Sequence, residues 1–217
     1  MDTYNLRQDY TKNILIEEHI SDNPFTQFNN WFQDCIDNKL PEPYAMSLAT
    51  VDKNNCPHVR TVLMRNFSER GLHFFTNYAS AKGQDLLVNN KAEVLFFWQA
   101  LERQVRINGL VHKLDYAQSQ DYFSQRPFAS QISAIISPQS RIIENRHELE
   151  KEYSKAANHY STDNLPNCPD FWGGYCLVPD YFEFWQGRAS RLHDRIAYQR
   201  DSKSKQIENW NVFRLAP

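Results

Sequence analysis

The chain has 217 residues, of which 41% are hydrophobic and 14% aromatic, and this is enough apolar material for one substantial core. Its formal charge of −2 gives no overall positive field to attract nucleic acid, so an anionic partner would have to be recognised by local clusters of basic side chains. No apolar run approaches the roughly 20 residues of a membrane span, and the first residues lack a signal-peptide pattern, so we expect a cytoplasmic protein.

The sequence lacks the motifs of several common enzyme classes. It has no Gly-x-Gly-x-x-Gly after a predicted strand, no phosphate loop that ends in Gly-Lys-Ser/Thr, no His-Glu-x-x-His and no Gly-x-Ser-x-Gly. The cysteines are far apart and have no histidine pair beside them at metal-ligand spacing: Cys35, Cys56, Cys168 and Cys176. Nucleotide hydrolysis, esterase chemistry and zinc sites are therefore disfavoured, and we expect free thiols.

The first half of the chain is predicted to contain two helices and five strands. Asn23 before Pro24 is typical of a helix N-cap followed by proline, and predicts an amphipathic helix to about Asn38. The inner face of this helix is predicted to carry Phe28, Trp31, Phe32, Cys35 and Ile36. Ser80 is expected to cap a second helix that runs to about Asn90. Alternating sequences predict a three-stranded meander over residues 45–51, 58–67 and 72–77, and a hairpin over residues 93–99 and 103–114.

The second half is predicted to begin with helices and to end with strands. A helical stretch of residues 115–126 ends before Pro127, and Ser137 followed by Pro138 is predicted to open a long charged helix to about His159. Strands are predicted over residues 174–178, 181–186, 191–199 and 210–215. Because strands dominate and do not alternate regularly with helices, we expect a mainly β fold, a largely antiparallel barrel with flanking α-helices.

One segment near the end of the chain combines aromatic rings with several cations. Arg191, His193 and Arg195 are two residues apart, so in an extended strand their side chains would share one face, beside Trp185. Like charges side by side are unfavourable unless an anion or an interface compensates them. The spacing therefore predicts an anion site. A catalytic pair of His193 and Asp194 is not expected, because neighbouring strand residues point to opposite faces.

Four further places have the side chains to bind a phosphate group. Arg60 and Arg65 flank an apolar run, at a separation that sends them to opposite faces of a strand. Lys82 lies in the first turn of the helix capped by Ser80, where free N–H groups favour an anion. The remaining two are Tyr122 and Arg126 with Ser130 beyond them, and Gln139 with Ser140 in the first turn of the predicted long helix. Each also has an ordinary interpretation, since arginines beside strands are usually solvated and capping serines satisfy backbone donors.

Longer motifs occur in a fixed order along the chain. They are Arg60-Thr-Val-Leu-Met-Arg65, Phe74-Phe-Thr-Asn77, Ser80-Ala-Lys82, Leu101-Glu-Arg-Gln-Val105, Tyr122-Phe-Ser-Gln-Arg-Pro127, Ser130-Gln131, Ser137-Pro-Gln-Ser140, Phe171-Trp-Gly-Gly174, Phe182-Glu-Phe-Trp-Gln-Gly187, Arg191-Leu-His-Asp-Arg195 and Arg214-Leu-Ala-Pro217. In this order and spacing, the chain resembles the pyridoxine/pyridoxamine 5'-phosphate oxidase family. The resemblance begins at residues 6–12 and covers nearly the whole sequence.

The resemblance implies an FMN-binding split β-barrel and a homodimer with FMN at the subunit interface. It implies oxidation of pyridoxine 5'-phosphate or pyridoxamine 5'-phosphate to pyridoxal 5'-phosphate in vitamin B6 biosynthesis or salvage. A hydride would pass from substrate C4' to flavin N5, and O2 would be reduced to H2O2. It also implies that residues 1–20 form a mobile segment able to cover the site, and that residues 21–217 form one domain.

The position of each residue within these motifs implies its role. Those expected to contact FMN are Arg60, Thr61, Val62, Leu63, Met64, Arg65, Phe75, Thr76, Lys82, Gln104, Gln139, Ser140, Trp185 and Arg195. Those expected to bind substrate are Arg7, Tyr10, Arg65, Tyr122, Arg126, Ser130, Arg191 and His193. Arg191 and His193 match the residues over the substrate ring and are the candidate catalytic residues, and no metal is expected.

Two positions depart from the family pattern, and two alternative functions remain. The family usually has lysine where this chain has Arg65, which changes the geometry of the charge, and often a basic residue where it has Ala81, which removes a phosphate contact. One alternative is a flavoenzyme of the same fold that acts on another ring, such as a phenazine-pathway oxidase or a flavin reductase. The other is a non-catalytic protein that binds flavin or pyridoxal phosphate and forms no peroxide.

Overall fold

The computed structural model describes residues 2, 4, 9–161, 164–201 and 209–217. Within them, nine strands form one sheet in which every pair is antiparallel. The strands are β1 (Ala45–Val51), β2 (Pro57–Leu63), β3 (Asn66–Ser68), β4 (Gly71–Asn77), β5 (Lys91–Trp98), β6 (Arg103–Lys113), β7 (Trp172–Gln186), β8 (Asp194–Arg200) and β9 (Trp210–Arg214). The α-helices are α1 (Pro24–Asp37), α2 (Ala81–Val88), α3 (Tyr116–Ser124), α4 (Phe128–Ile136) and α5 (Arg146–His159). The mainly β, antiparallel architecture with flanking helices is as expected.

The longest strand, β7, connects the parts of the sheet. Its first half pairs with β4, its second half pairs with β8, and β6 pairs with it over residues 175–186. The sheet order is β2-β1-β5-β6-β7-β4-β3, with β8 paired to β7 and β9 paired to β8. The predicted meander is therefore confirmed only in part, since of the predicted strand of residues 58–67 only residues 66 and 67 pair with β4. β1 and β2 pair as expected, but β4 pairs with β7, which lies far along the chain, and alternation within a strand does not indicate such a distant partner.

The predicted strand of residues 58–67 is divided in the structure. β2 ends at Leu63, the amide of Met64 donates to the carbonyl of Tyr44, and the amide of Arg65 donates to the carbonyl of His73 on β4. The short strand β3 then pairs with β4. The chain thus crosses from one part of the barrel to the other at Met64 and Arg65.

The predicted strands of residues 174–178 and 181–186 are joined in the structure as the single strand β7. The register with β6 shifts just before Gly109, which accommodates one extra residue on β7. A Cβ atom at Gly109 would lie 2.0 Å from the carbonyl oxygen of Val178, so the close approach of the two backbones requires glycine here.

Four of the helices begin at a side-chain cap. Asn23, Ser80, Asp115 and Asn145 accept hydrogen bonds from backbone amides in the first turns of α1, α2, α3 and α5. The caps at Asn23 and Ser80 were predicted, and α3 agrees with its predicted segment. Among the described residues, no helix has the length and apolar character needed to cross a bilayer.

The predicted start of the long charged helix is wrong. Ser137 follows the last turn of α4, its amide donates to the carbonyl of Ser133, and Pro138 comes after this C-terminus. Helix α5 begins only after its cap at Asn145. The pair Ser137-Pro138 therefore marks the end of a helix, and Gln139 and Ser140 lie in the following loop instead of a first helical turn.

Helix α4 was not predicted, although its sequence contains a usable signal. Phe128, Ile132 and Ile136 are four residues apart, the spacing of one helical face, and Ile132 is fully buried. Pro127, directly before the helix, was interpreted only as the end of α3. Proline can close one helix and precede another.

Helix α1 packs against the sheet through aromatic side chains. Phe28 is fully buried, and its ring centroid lies 4.2 Å from that of Phe67 and 5.1 Å from that of Phe96. Burial of one such side chain contributes about 1.5–3 kcal/mol. Ile36, predicted on the inner face, is 48% exposed, because it is about 80° around the helix from Phe28.

Candidate active site

A cavity of about 670 Å³ opens between the end of β2, β4 and the helices α2, α3 and α4. It brings together many of the predicted site residues, namely Thr61, Val62, Leu63, Arg65, Phe75, Thr76, Lys82, Tyr122, Arg126, Ser130 and Gln139. Gln125, Pro127 and Trp172 also line it and were not predicted as site residues. Trp172 belongs to the motif Phe171-Trp-Gly-Gly174, which by itself indicates no role for this side chain.

Stacked aromatic rings form one wall of this cavity. Phe75 and Tyr122 lie with their ring centroids 3.8 Å apart and nearly parallel, and Trp172 stacks 5.7 Å from Phe75. Behind them, Phe123 is fully buried and packs edge-on against Trp172. This small second core fixes the position of the wall relative to the main sheet.

Arg126 has an unusual environment in the same wall. Its guanidinium carbon lies 4.6 Å above the Trp172 ring, a cation–π contact. Its Nη1 atom is buried and has no hydrogen-bond partner among the described residues. Burial lowers the pKa of Arg126, and the neighbouring Arg65 charge acts in the same direction, although Tyr122 opposes it. A buried donor without a partner, near a second cation, is suited to bind an anion.

A second polar cluster lies at the N-terminus of α2. The Lys82 ammonium donates to the side-chain oxygen of Gln139 at 2.9 Å and to the Thr76 hydroxyl at 3.3 Å, and Thr76 donates to the same Gln139 oxygen at 2.8 Å. Burial lowers the pKa of Lys82, and the Arg60 charge lowers it further, against the opposing effect of Asp85. The cluster thus concentrates positive charge at a helix N-terminus.

Arg60 is held by its own network beside this cluster. Its Nη1 atom donates to the Thr50 hydroxyl at 2.6 Å and to the Leu48 carbonyl at 3.2 Å, and Nη2 lies 3.4 Å from the buried carboxylate of Asp85. Burial raises the pKa of Asp85, but hydrogen bonds from Thr50 and His58 outweigh it, so the net shift is downward. The carboxylate therefore stays charged and balances the cations around it.

Six residues of the predicted FMN set do not line the cavity, namely Arg60, Met64, Gln104, Ser140, Trp185 and Arg195. Arg60 lies in the network just described, and Met64 is buried in the main core. Ser140 is exposed in the loop before α5, with a positive φ of 70°. Ala81, where the family often has a basic residue, is exposed at the start of α2.

A second group of predicted residues lies on the other strands of the sheet. Trp185 on β7 is directly opposite Gln104 on β6 and Arg195 on β8, so the three form a row across the sheet. Arg195 donates from Nε to Glu183 at 2.9 Å and from Nη1 to the Ala216 carbonyl at 2.8 Å. Within the described part of the chain, no member of this row lines the first cavity.

The predicted shared face of Arg191, His193 and Arg195 is wrong. Strand β8 begins after His193, and Arg191 ends a short 3-10 turn in which Ser190 and Arg191 have positive φ angles of 57° and 61°. Side chains do not alternate through such a turn as they do along a strand. Arg191 is exposed, and only Arg195 belongs to the strand.

His193 and Tyr10 pack around Trp185. The His193 ring centroid lies 4.7 Å from that of Trp185, and the Tyr10 centroid lies 5.7 Å from Trp185 and 5.8 Å from His193. The backbone amide of Arg188 donates to His193 Nδ1 at 3.1 Å, which leaves the proton of the neutral ring on Nε2. A Cβ atom at Gly187 would lie 2.6 Å from Cγ of Tyr10. Arg7, predicted to act with Tyr10, lies outside the described residues.

One chain therefore carries two separate groups of predicted site residues. The first group surrounds the cavity between β2, β4 and the helices, and the second lies on β6, β7 and β8 around Trp185. Among the residues that the structure describes, no set of three or more histidine, cysteine, aspartate or glutamate side chains could hold a metal ion.

Comparisons with known proteins agree along the whole chain. Residues 32–160 match the family model described as pyridoxamine 5'-phosphate oxidase, and residues 172–217 match the model described as the pyridoxine 5'-phosphate oxidase C-terminal dimerisation region. A pyridoxine/pyridoxamine 5'-phosphate oxidase of Acinetobacter baylyi is 48% identical over 217 residues, which is 100% of this chain and 97% of that protein. One of Bordetella pertussis is 46% identical over 217 residues and is covered fully in both chains.

Solved structures confirm the split-barrel fold. PhzG from Burkholderia lata, in complex with tetrahydrophenazine-1-carboxylic acid, superposes with a TM-score of 0.86 at 24% identity, covering 94% of this chain and 98% of that one. A pyridoxamine 5'-phosphate oxidase-related, FMN-binding protein from Nostoc punctiforme gives a TM-score of 0.70 at 19% identity, with coverage of 89% and 97%. On the strength of the family models and of the relatives at 46–48% identity, this chain belongs to the pyridoxine/pyridoxamine 5'-phosphate oxidase family.

Proposed function

We propose that the protein is an FMN-dependent oxidase that converts pyridoxine 5'-phosphate or pyridoxamine 5'-phosphate to pyridoxal 5'-phosphate, with reduction of O2 to H2O2. Membership of the family supports an oxidoreductase of this kind. The single observation that carries the choice of substrate is the buried, unpartnered Nη1 donor of Arg126 in the cavity wall. A phosphorylated substrate would supply the missing acceptor.

Arg126 would bind the substrate phosphate together with Arg65, Tyr122 and Ser130. All four line the same cavity, so their guanidinium and hydroxyl groups can contact one anion. Binding energy from the phosphate, which does not react, can orient the carbon that does. Arg65 presents a planar fork where the family usually has lysine, which favours a bidentate contact.

The remaining residues of the cavity fit the phosphate of a flavin. Lys82, Thr76 and Gln139 lie together at the N-terminus of α2, with Arg60 beside them. Residues 61–63 and Phe75 line the cavity beside this cluster and would border the flavin rings. Bound FMN would supply the acceptor for the hydride from C4' of the substrate.

Arg191 and His193 would complete the site over the substrate ring. His193 keeps a proton on Nε2, because Nδ1 accepts the amide of Arg188, and this proton can be donated to the polar edge of the ring. Arg191 is exposed at the end of its turn and would cover the ring when substrate binds. Tyr10, against Trp185, would exclude water from the same side.

We propose that two chains form each active site in a homodimer. The two groups of site residues lie on different strands, and the dimerisation region of the family model covers residues 172–217, which contain Trp185, Arg191, His193 and Arg195. The cavity of one subunit would then face the Trp185 group of the other. In this proposal, residues 21–217 act as one domain and the segment of residues 1–20 covers the site, with Leu15 anchored in the main core.

The decisive experiment is an absorbance spectrum of the purified protein, followed by addition of pyridoxine 5'-phosphate without oxygen. We expect an FMN spectrum that bleaches as the substrate is oxidised, and formation of H2O2 when air is admitted. Unphosphorylated pyridoxine is the matched control and should bleach the flavin much more slowly. A flavin spectrum that persists with both phosphorylated substrates would refute the proposed reaction, and bleaching by a reduced phenazine precursor instead would favour the phenazine-pathway alternative.

A further inference from the structure

Glu183 on β7 is one of the most deeply buried charged residues in the described part of the chain, with 2% of its surface exposed. Its Oε1 atom accepts a hydrogen bond from Nε of Arg195 at 2.9 Å and forms an ion pair with Nη2 of Arg195, also at 2.9 Å. Its Oε2 atom accepts from Nη1 of Arg106 and from the Tyr181 hydroxyl, both at 3.1 Å. The carboxylate is thus surrounded by donors on both oxygens, as a buried charge requires.

The sheet geometry directs Arg195 towards Glu183. Arg195 is directly opposite Trp185, whereas Ala197 is opposite Glu183. Because Ala197 has only a methyl group, the long side chain of Arg195 can extend diagonally along the sheet and reach the carboxylate. At its other end, the Arg195 guanidinium donates to the Ala216 carbonyl. Glu183 therefore supplies the two side-chain contacts that fix the orientation of this guanidinium.

Arg106 depends much less on Glu183 than Arg195 does. Glu93 binds Arg106 through two hydrogen bonds, from Nε at 2.7 Å and from Nη2 at 3.2 Å. The bond from Nη1 of Arg106 to Glu183 is a third contact on an arginine that already has a bidentate partner. Loss of the Glu183 charge would therefore leave Arg106 held in place and would release Arg195.

Tyr181 strengthens the same arrangement. Burial raises the pKa of Tyr181 to about 12, and the neighbouring Glu183 charge acts in the same direction. The phenol therefore keeps its proton at neutral pH and remains a donor to Glu183. Tyr181 and Arg106 therefore occupy Oε2 of Glu183, and Arg195 is the donor to Oε1.

We propose that Glu183 is a positioning residue for flavin binding, because its buried carboxylate holds the Arg195 guanidinium in the row with Trp185 and Gln104. This inference rests on the proposed function, in which that row contacts FMN. Glu183 itself touches neither flavin nor substrate. It acts by orienting Arg195 before the cofactor binds, so that no binding energy is lost in ordering a flexible side chain.

The test compares Glu183→Gln with Glu93→Gln, a matched control in the same ion-pair network that does not contact Arg195. The apoprotein of each variant is titrated with FMN, and the Kd is measured by flavin fluorescence. The melting temperature of each apoprotein and the absorption spectrum of the bound flavin are measured as well. We expect Glu183→Gln to raise the Kd about tenfold or more, which corresponds to ~1.4 kcal/mol. Glu93→Gln should stay within about threefold of the parent.

A double-mutant cycle with Arg195→Met separates positioning from general stability. If Glu183 acts through Arg195, adding Glu183→Gln to Arg195→Met should weaken FMN binding little further. Independent, multiplying effects of the two substitutions would overturn the proposal. So would an equal loss of affinity in Glu183→Gln and Glu93→Gln, since the carboxylates would then act only through the stability of the sheet.

Glu183→Asp decides the question if Glu183→Gln does not fold. It keeps the charge but withdraws the carboxylate by one methylene, so weaker FMN binding at an unchanged melting temperature supports the proposal, and unchanged binding overturns it. A parent protein that binds no FMN would refute the proposed function and the inference with it. Tight binding by the parent that Glu183→Gln does not alter would refute the inference alone.

Discussion

Arg126 combines three features that bear on ligand binding. It stacks on Trp172, it is close to the like charge of Arg65, and its buried Nη1 atom has no acceptor among the described residues. The cation–π contact with Trp172 is favourable, whereas the nearby like charge and the unpartnered buried donor both cost free energy when no anion is present. The sequence indicated Arg126 by its spacing from Tyr122 and Ser130, but it could not indicate Trp172, which is supplied by a strand far along the chain.

Arg126→Ala should raise the KM for pyridoxine 5'-phosphate by about 10- to 100-fold, the range expected for loss of a charge-assisted hydrogen bond. Steady-state kinetics with H2O2 detection measures the effect. Arg126→Lys keeps the charge without the planar fork and should fall between the parent and the alanine variant. A KM that does not change in Arg126→Ala would remove this residue from the proposed phosphate site.

Arg191→Met should lower kcat by about tenfold or more, because a long apolar side chain cannot orient the substrate ring by charge or hydrogen bonds. The Kd for FMN, measured by fluorescence, should change much less than kcat, because Arg191 is assigned to the substrate and not to the flavin. Turnover at the parental rate by the purified variant would contradict this role. The positive φ of Arg191 makes substitution by a β-branched residue a poorer test.

At the scale of elements, helix α5 begins after Asn145 in the structure, whereas the sequence predicted a start at Ser137. Asn145→Ala should lower the free energy of unfolding by about 1 kcal/mol, because Asn145 caps the helix by accepting the amide of Glu148 at 3.0 Å. Ser137→Ala is the control and should change it by less than about 0.5 kcal/mol, because Ser137 ends α4 through its backbone amide, which alanine keeps. Urea unfolding measures both, and the opposite order would restore the predicted helix of residues 137–159.

The elements differ in how much their own sequence reveals. β1 was predicted with its observed bounds, because its side chains alternate between buried and half-exposed positions. β7 was predicted as two strands, of residues 174–178 and 181–186, whereas in the structure a register shift accommodates Pro179 within a single strand. The predicted shared face of Arg191 and Arg195 was wrong because Ser190 and Arg191 have positive φ angles. The spacing of side chains along the sequence does not indicate such a backbone conformation.

At the scale of the whole molecule, the separation of Arg126 from Arg191 allows a direct test of a shared active site. Arg126→Ala and Arg191→Met homodimers should each be impaired, but subunit exchange between them should restore activity. In a mixed dimer, one site combines two intact halves, so random exchange should recover about a quarter of the parental activity. Mixing without exchange is the control. No recovery would indicate that each chain builds its site alone, as would a flavin-loaded monomer by light scattering.

The order of strands was the least predictable property of the molecule. Local alternation and capping identified most strands and helices, and the motifs indicated the family and its fold. These local patterns could not show that β4 would pair with β7 and lie far from β2, because the pairing of distant strands depends on packing across the whole sheet. The same long-range arrangement puts the predicted site residues into two groups, which no spacing along the chain indicates.

The contact between Gly187 and Tyr10 makes it possible to change how easily substrate and oxygen enter the site without changing its charged side chains. One methyl group at position 187 would occupy the space of the phenol ring, since a Cβ atom there lies 2.6 Å from Cγ of Tyr10. Gly187→Ala should therefore displace the tyrosine while every charged side chain around it stays intact. Stopped-flow mixing should then show faster entry of substrate and release of product, together with quicker reaction of the reduced flavin with oxygen. A single added methyl group at position 187 would thus give an enzyme with faster turnover and a flavin that is less well shielded from oxygen.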